Sequence, residues 1–249
     1  MIPKEVVIIG GGSSIQEGIS KGLWKFLEGK FTIGCNYSYR HFLPTVATFV
    51  DRPFFHERKK ELLNLPLVIG KGHTDILVAK KNNQEAFKNV LLCKTTSAYF
   101  GKDAIKKDKV FSAVLVGLFS ITISICLGIK TIYLLGFDWT KKTVQKDRDQ
   151  LKRPITHYYQ KDEALKHRGI GKTSYYDSHE PKELFKYFLK EQDLKIYNVS
   201  LNSNIDCFEK LSYEEFFTRL TENYNQEELR NEIKKTILDM QKLSKGSSK

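Results

Sequence analysis

The stretch that most constrains this chain is Val6-Val7-Ile8-Ile9-Gly10-Gly11-Gly12-Ser13-Ser14-Ile15. Four consecutive β-branched apolar residues suit a strand buried on both faces of a parallel sheet. The glycines end it, and Ser13 or Ser14 can cap a helix from about Ile15 to Leu27. A strand that stops on glycines and feeds a helix aims backbone N–H groups and a positive dipole end at one point. That point suits an anion, most often the phosphate of a nucleotide. The same residues would also make an ordinary tight turn. Its place as the first βα turn favours phosphate at Gly10, Gly11, Gly12 and Ser13. Ile15 stands where the dinucleotide pattern needs a glycine, and no Walker lysine follows, so neither NAD nor a P-loop is expected.

Later apolar runs repeat the theme. Phe31 to Asn36 reads as a strand ending on Asn36, and Thr45 to Asp51 as one ending on Asp51, broken by Arg52-Pro53. Leu67–Gly70, Asp75–Ala79 and, at an edge, Val90–Cys93 read as further short strands. Thr131 to Asp138 is another strand and Leu194 to Val199 the last. Strands that finish on Gly, Asn or Asp line the crevice at the carboxyl edge of an open α/β sheet. The expected fold is therefore a single Rossmann-like α/β domain, a mostly parallel sheet with helices on both faces. It spans residues 1–200, with a lid-like segment at 140–175 and a C-terminal helical extension at 201–249. Within that extension, Ser212 to Phe217 opens with a capping box, and Gln226 to Leu243 is amphipathic.

The uncharged run Val110–Ile129 raises the question of a membrane, since about 20 apolar residues span a bilayer. It carries several Ser and Thr residues, has Gly128 near its end and is followed at once by a second apolar run, Ile132 to Phe137. Helix, glycine cap, buried strand is the αβ half of a doubly wound unit, so a central buried helix is expected and no transmembrane span. Cys35, Cys93, Cys126 and Cys207 form no CxxC pair, which suits thiols in a reducing, cytoplasmic setting; no secretory segment opens the sequence. The net charge of +12 comes mostly from scattered lysines. It suits a nucleotide-type small-molecule substrate, or contact of a basic face with a polyanion or an anionic membrane surface. Oligomeric state is not readable. No HExxH, GxSxG, zinc-ligand cluster or RNP-like aromatic pair is present.

In combination these pieces resemble the single-domain, GT-A-like bacterial sialyltransferases. Val7 to Ile15 is similar to their opening strand and Gly-Asn-Gly-Pro-Ser-Leu turn, with Gly11 in place of a nucleotide-contacting Asn. Cys35-Asn36 matches a Cys-Asn that touches the donor nucleotide, and Asp51 stands where an Asn contacts the donor sugar. Leu127 to Trp139 resembles Leu-Gly-Tyr-Lys-Glu-Ile-Tyr-Leu-x-Gly-Ile-Asp-Phe, which places Asp138. Ser178-His179 resembles the His-Ser whose His is the general base. The departures are Val116-Gly117 for a donor-contacting Ser-Gly, Ala113 for an arginine and Thr140 for a tyrosine. They leave the fold and a cytidine-like or other nucleotide better supported than sialic acid. Thr156-His157-Tyr158-Tyr159 also resembles a signature of the MptE-like group of the pterin pyrophosphokinase superfamily.

The resemblance implies a CMP-sugar-like donor, Gly117 among the donor contacts and catalysis by His179, with His157 as the other candidate base. Asp51 and Asp138 could hold Mg²⁺ on a pyrophosphate, or simply cap the following helices. Lys141, Lys142, Lys152 and Arg153 could offset charge on a leaving phosphate. Three functions stay open: a nucleotide-sugar-dependent glycosyltransferase, a Mg²⁺-dependent pyrophosphokinase, and a non-catalytic basic binder of nucleic acid or a partner.

Overall fold

The computed structural model describes residues 1–93, 115–139, 158–161, 185, 188 and 193–246. Eight strands form one open sheet: β1 (Glu5–Ile9), β2 (Thr32–Cys35), β3 (Val46–Phe49), β4 (Val68–Lys71), β5 (Val90–Cys93), β6 (Thr131–Leu135), β7 (Lys195–Asn198) and β8 (Glu209–Lys210). Their order is β5-β4-β3-β2-β1-β6-β7-β8, and every pairing is parallel. From β1 the chain winds outward through β5, then returns to the other side of β1 as β6. The switch point thus lies between β1 and β6, where open α/β sheets form their ligand crevice.

The helices are α1 (Ile15–Ser20), α2 (Leu23–Leu27), α3 (Arg52–Leu63), α4 (Thr74–Asn82), α5 (Val116–Cys126), α6 (Tyr213–Arg219) and α7 (Gln226–Gly246). One face of the sheet carries α1 to α4 and α6 through Ile15, Leu23, Phe55, Ile76 and Phe216. The other carries α5 and α7 through Phe119, Ile121, Leu229 and Ile233. Successive residues of β1 feed the two cores in turn, Val6 and Ile8 one, Val7 and Ile9 the other, as a period of two requires.

Helix α5 bears out the buried reading over the described part of the apolar run. Nine of its 11 residues are buried, and Phe119, Ile121 and Ile123 are each 0% exposed, worth about 1.5–3 kcal/mol apiece. Its hydroxyls follow the backbone inward: Ser120, Thr122 and Ser124 donate to the carbonyls of Val116, Leu118 and Ser120 at 2.8–2.9 Å. Gly128, at φ +80°, closes it; Gly128 N–H reaches Ile125 O and Ile129 N–H reaches Ser124 O, a Schellman end. Among the described residues no helix is long and apolar enough to cross a membrane.

Several expectations are corrected. Asp75–Ala79 lies inside α4, where only Ile76 is buried, so its β-rich composition yields to a helix that Asp75 favours at its first turn. The helix after β1 is two pieces, broken at Gly22 with φ +84°. The two-residue β8 was too short to leave a periodic signal. Ser212 does form the capping box, with Glu215 reciprocating.

Candidate functional site

The carboxyl ends of β1, β2, β3 and β6 carry the Gly10–Ser14 turn, Asn36, Asp51 and Asp138, all at one edge. On the β6 side of β1 they are joined directly. Gly10 N–H donates to Leu135 O at 2.7 Å and Gly12 N–H to Gly136 O at 2.8 Å. Ser14 N–H donates to Asp138 Oδ2 at 2.8 Å, the Ser14 hydroxyl to Oδ1, and the Ser13 hydroxyl to Oδ2 at 3.3 Å. The serines therefore do not cap α1 themselves. A carboxylate from 124 residues away does so, at the positive end of the helix where a negative charge is favoured.

This explains the glycines. A Cβ on Gly12 would lie 2.6 Å from the Asp138 carboxyl and from Gly136 O, and one on Gly10 would lie 2.7 Å from Gly136 O. Gly136 itself sits at φ +67° against Gly12 N. Gly117, the second residue of α5, leaves room for the Phe137 ring, which a Cβ would meet at 2.6 Å. Even-numbered residues of the turn spend their N–H groups on the end of β6 and the residues just after it. Gly11 and Ser13 keep theirs without a partner among the described residues. Two donors thus remain for an anion, fewer than the sequence suggests.

On the β2 side the edge is aromatic. Asn36 opens a 3-10 turn, Asn36–Arg40, and holds a left-handed φ of +49°, which Asn tolerates better than most side chains. Its Oδ1 is buried with no hydrogen-bond partner among the described residues, and so is Ser38 Oγ. The turn is fastened outward to α3. Glu61 accepts from Tyr39 Oη at 2.7 Å and from Arg40 at 2.9 and 3.1 Å, with Arg58 at 3.3 Å. Burial alone would raise the Glu61 carboxyl, but these hydrogen bonds and charges hold it below its ordinary value. A second 3-10 turn, Tyr158–Lys161, lies across the same edge, with Tyr158 N–H donating to Gly11 O at 2.9 Å. Tyr158 packs on His41 and Trp24, and Tyr159 on Tyr37.

Beneath this edge Thr48, Cys35 and Ser120 form a buried polar knot, with Thr48 Oγ1 and Ser120 Oγ at 2.9 Å. Burial pushes the Cys35 thiol up to about 11, against weaker opposing hydrogen bonds from Ser120 and Thr48. Such burial disfavours the thiolate that nucleophilic attack requires. None of the four cysteines is in a disulfide.

Asp51 is the N-cap residue of α3, exposed, its side chain making no cap bond. It lies two strands from β1, across β2 and β3. Both Asp138 oxygens are committed to Ser13 and Ser14, and among the described residues no group of three or more His, Cys, Asp or Glu could hold a metal. Asp51 and Asp138 follow β3 and β6, strands that do not neighbour each other in the sheet. His179, His157, Ser178, Lys141, Lys142, Lys152 and Arg153 lie outside the described residues, as does Ala113. Glu61 was not singled out from sequence, and the Asp138 partner of Ser14 and the Tyr158 partner of Trp24 and His41 were not foreseen. Only proximity in the fold reveals them, because their partners are distant in the chain.

The fold is shared with glycosyltransferases. The MAf glycosyltransferase from Magnetospirillum magneticum AMB-1 superposes with a TM-score of 0.56 at 12% identity, covering 96% of this chain but 38% of that enzyme. The sialyltransferase CstII from Campylobacter jejuni, in complex with the substrate analogue CMP-3FNeuAc, superposes with a TM-score of 0.50 at 21% identity, over 84% of this chain and 85% of that one. At these identities the likeness is one of fold. The chain thus spans well under half the length of the first of these enzymes. No family model matches the sequence, and no curated protein matches it, so the resemblance to the MptE-like group gains no support.

Proposed function

We propose that this chain is a nucleotide-sugar-dependent glycosyltransferase whose donor lies across the tips of β1 and β2. The observation that carries this is Asn36. A left-handed residue with a buried, unpartnered side-chain oxygen, next to the first glycine turn, is a costly arrangement that a ligand would repay. In Rossmann-like sheets the residue ending the second strand faces the nucleoside while the first turn faces phosphate. The shared fold with glycosyltransferases, one of them bound to a CMP-sugar analogue, points to a nucleotide-sugar donor of that kind.

In the proposed reaction the acceptor hydroxyl attacks the anomeric carbon as the bond to the nucleotide phosphate breaks. His179 takes the hydroxyl proton, and the N–H groups of Gly11 and Ser13 receive charge on the departing phosphate. Thermal-shift screening against CMP, UDP, GDP, ATP and their sugar conjugates tests the reading, since a ligand of the folded state raises the melting temperature. A nucleotide-sugar hit followed by sugar transfer supports it; a response confined to ATP with Mg²⁺, or none, overturns it. His179→Ala should then lose about 10²–10⁴-fold in turnover with little change in nucleotide affinity. If His157→Ala lost turnover instead, the base would be His157.

A further inference from the structure

Tyr158 is tied to the glycine turn that the proposed donor site uses. Tyr158 is 5% exposed. Its ring meets His41 at 5.1 Å and Tyr159 at 5.2 Å, both edge-on, and Trp24 at 6.3 Å. Trp24 is itself stacked on Phe42 at 5.6 Å. A tyrosine that serves as a stacking platform must offer an open face to a base, and Tyr158 offers none. Its hydroxyl is buried with no hydrogen-bond partner among the described residues. A buried phenol ordinarily finds a partner, and leaving one without is unfavourable. Asn36 Oδ1 and Ser38 Oγ, at the neighbouring strand tip, are in the same condition. Three polar atoms, one on Tyr158 and two on the turn that follows β2, are thus buried without a partner among the described residues. Among the described backbone bonds, one from Tyr158 N–H to Gly11 O makes the tie to the glycine turn.

We infer that the slot filled by Tyr158 is the nucleobase seat of the donor, and that Tyr158 is a placeholder which the base displaces. This rests on the reading of the protein as a nucleotide-sugar enzyme. A planar heterocycle fits the same aromatic walls, and its polar edge supplies partners that the phenol ring does not. Displacement lowers apparent affinity in proportion to the fraction of molecules in which the seat is empty. If that fraction is about one tenth, removing the placeholder strengthens binding about tenfold.

Two substitutions with opposite expected signs test this. Tyr158→Ala empties the seat, and calorimetric titration with cytidine, uridine, adenosine and guanosine should show the best ligand binding about tenfold more tightly. Tyr158→Phe deletes only the unpaired hydroxyl, so the placeholder should hold more firmly. That variant should melt no lower than the wild type and bind the same nucleoside more weakly. Should Tyr158→Ala not fold, the sign from Tyr158→Phe decides. Equal or weaker nucleoside binding by Tyr158→Ala, or stronger binding by Tyr158→Phe, overturns the inference. Titration with CMP-sugars separates it from the reading beneath it. Nucleosides that gain tenfold while no nucleotide sugar is bound or turned over would uphold the seat and sink the transferase. Sugar transfer that is indifferent to both substitutions would do the reverse, and no binding of any kind would sink both.

Discussion

The two flanks of β1 share a sheet edge and differ in how their polar groups are satisfied. Toward β6, Gly10, Gly12, Ser13 and Ser14 all donate to the tip of the neighbouring strand, and Asp138 accepts three times. Toward β2, Asn36 Oδ1, Ser38 Oγ and Tyr158 Oη have no partner among the described residues. A completed network stiffens a fold, and an incomplete one stores unfavourable energy that ligand binding can release. The β6 flank therefore behaves as a structural seam, although the switch point lies there, and the β2 flank is the side on which the proposed function places the ligand. The glycine run that draws attention in the sequence serves both sides, by alternation along the turn.

The seam breaks hardest at Gly12. Gly12→Ala sets a Cβ 2.6 Å from Gly136 O, a backbone atom, and overpacking of this kind costs about 1–3 kcal/mol. Chemical denaturation should place the loss at the upper end, because Gly136 holds a left-handed φ and has little freedom to retreat. A variant as stable as wild type would show that the strand tips are not in contact.

Asp138→Ala comes next. It leaves the Ser13 and Ser14 donors without their acceptor and removes the charge at the start of α1. A helix cap of this sort is worth about 0.5–2 kcal/mol. If Asp138 is a seam residue rather than a metal ligand, the loss appears equally with and without Mg²⁺. A loss of stability seen only in the presence of Mg²⁺ would return it to the role first considered for it.

The seam also shows where the sequence was legible. Strand ends could be placed because β-branched runs stop at Gly10, Asn36, Asp51 and Asp138, and those positions do share one edge. What joins Ser14 to Asp138 acts across 124 residues, and no periodicity encodes it. A capping role for Asp138 could be stated from sequence, but the helix it caps could not be named, because the N-cap residue of that helix, Ser14, lies 124 residues earlier. Asp75–Ala79 misled for a local reason: a β-branched stretch on a mostly solvated helix carries the composition of a strand without its burial. The aromatic slot was half visible, as two adjacent tyrosines, but its walls at Trp24 and His41 come from other elements.

On the β2 flank the Asn36–Arg40 turn depends on Glu61, and pH reads that dependence. The Glu61 carboxyl is held below its ordinary 4.5 in the folded chain, so its stabilising contribution is fully present above that value. The contribution declines as pH falls below the unfolded value and is lost once pH has passed through the folded one. Glu61 is about one third exposed, so solvent screening keeps the effect to about 1 kcal/mol or less. Melting temperatures of wild type and Glu61→Gln should differ at pH 7 and converge toward pH 3. A gap that stayed constant over this range would assign the loss to packing rather than charge.

The smallest effect separates the flanks most cleanly, because its sign is the evidence. Ser14 and Ser38 are both serines at strand tips, but the Ser14 hydroxyl donates to a carboxylate and the Ser38 hydroxyl, 0% exposed, has no described partner. Ser14→Ala removes a charge-assisted hydrogen bond and should cost about 1–2 kcal/mol. Ser38→Ala removes a group that was desolvated without compensation, so stability should stay within about 0.5 kcal/mol of wild type or rise slightly. If the β2 flank is the binding side, the same substitution should weaken nucleoside affinity, because the hydroxyl finds its partner in the ligand. Stability and binding would then move in opposite directions from the loss of one oxygen atom. A Ser38→Ala protein that lost a full kcal/mol of stability would show the hydroxyl to be paired in the free protein, and the contrast between the flanks would no longer hold.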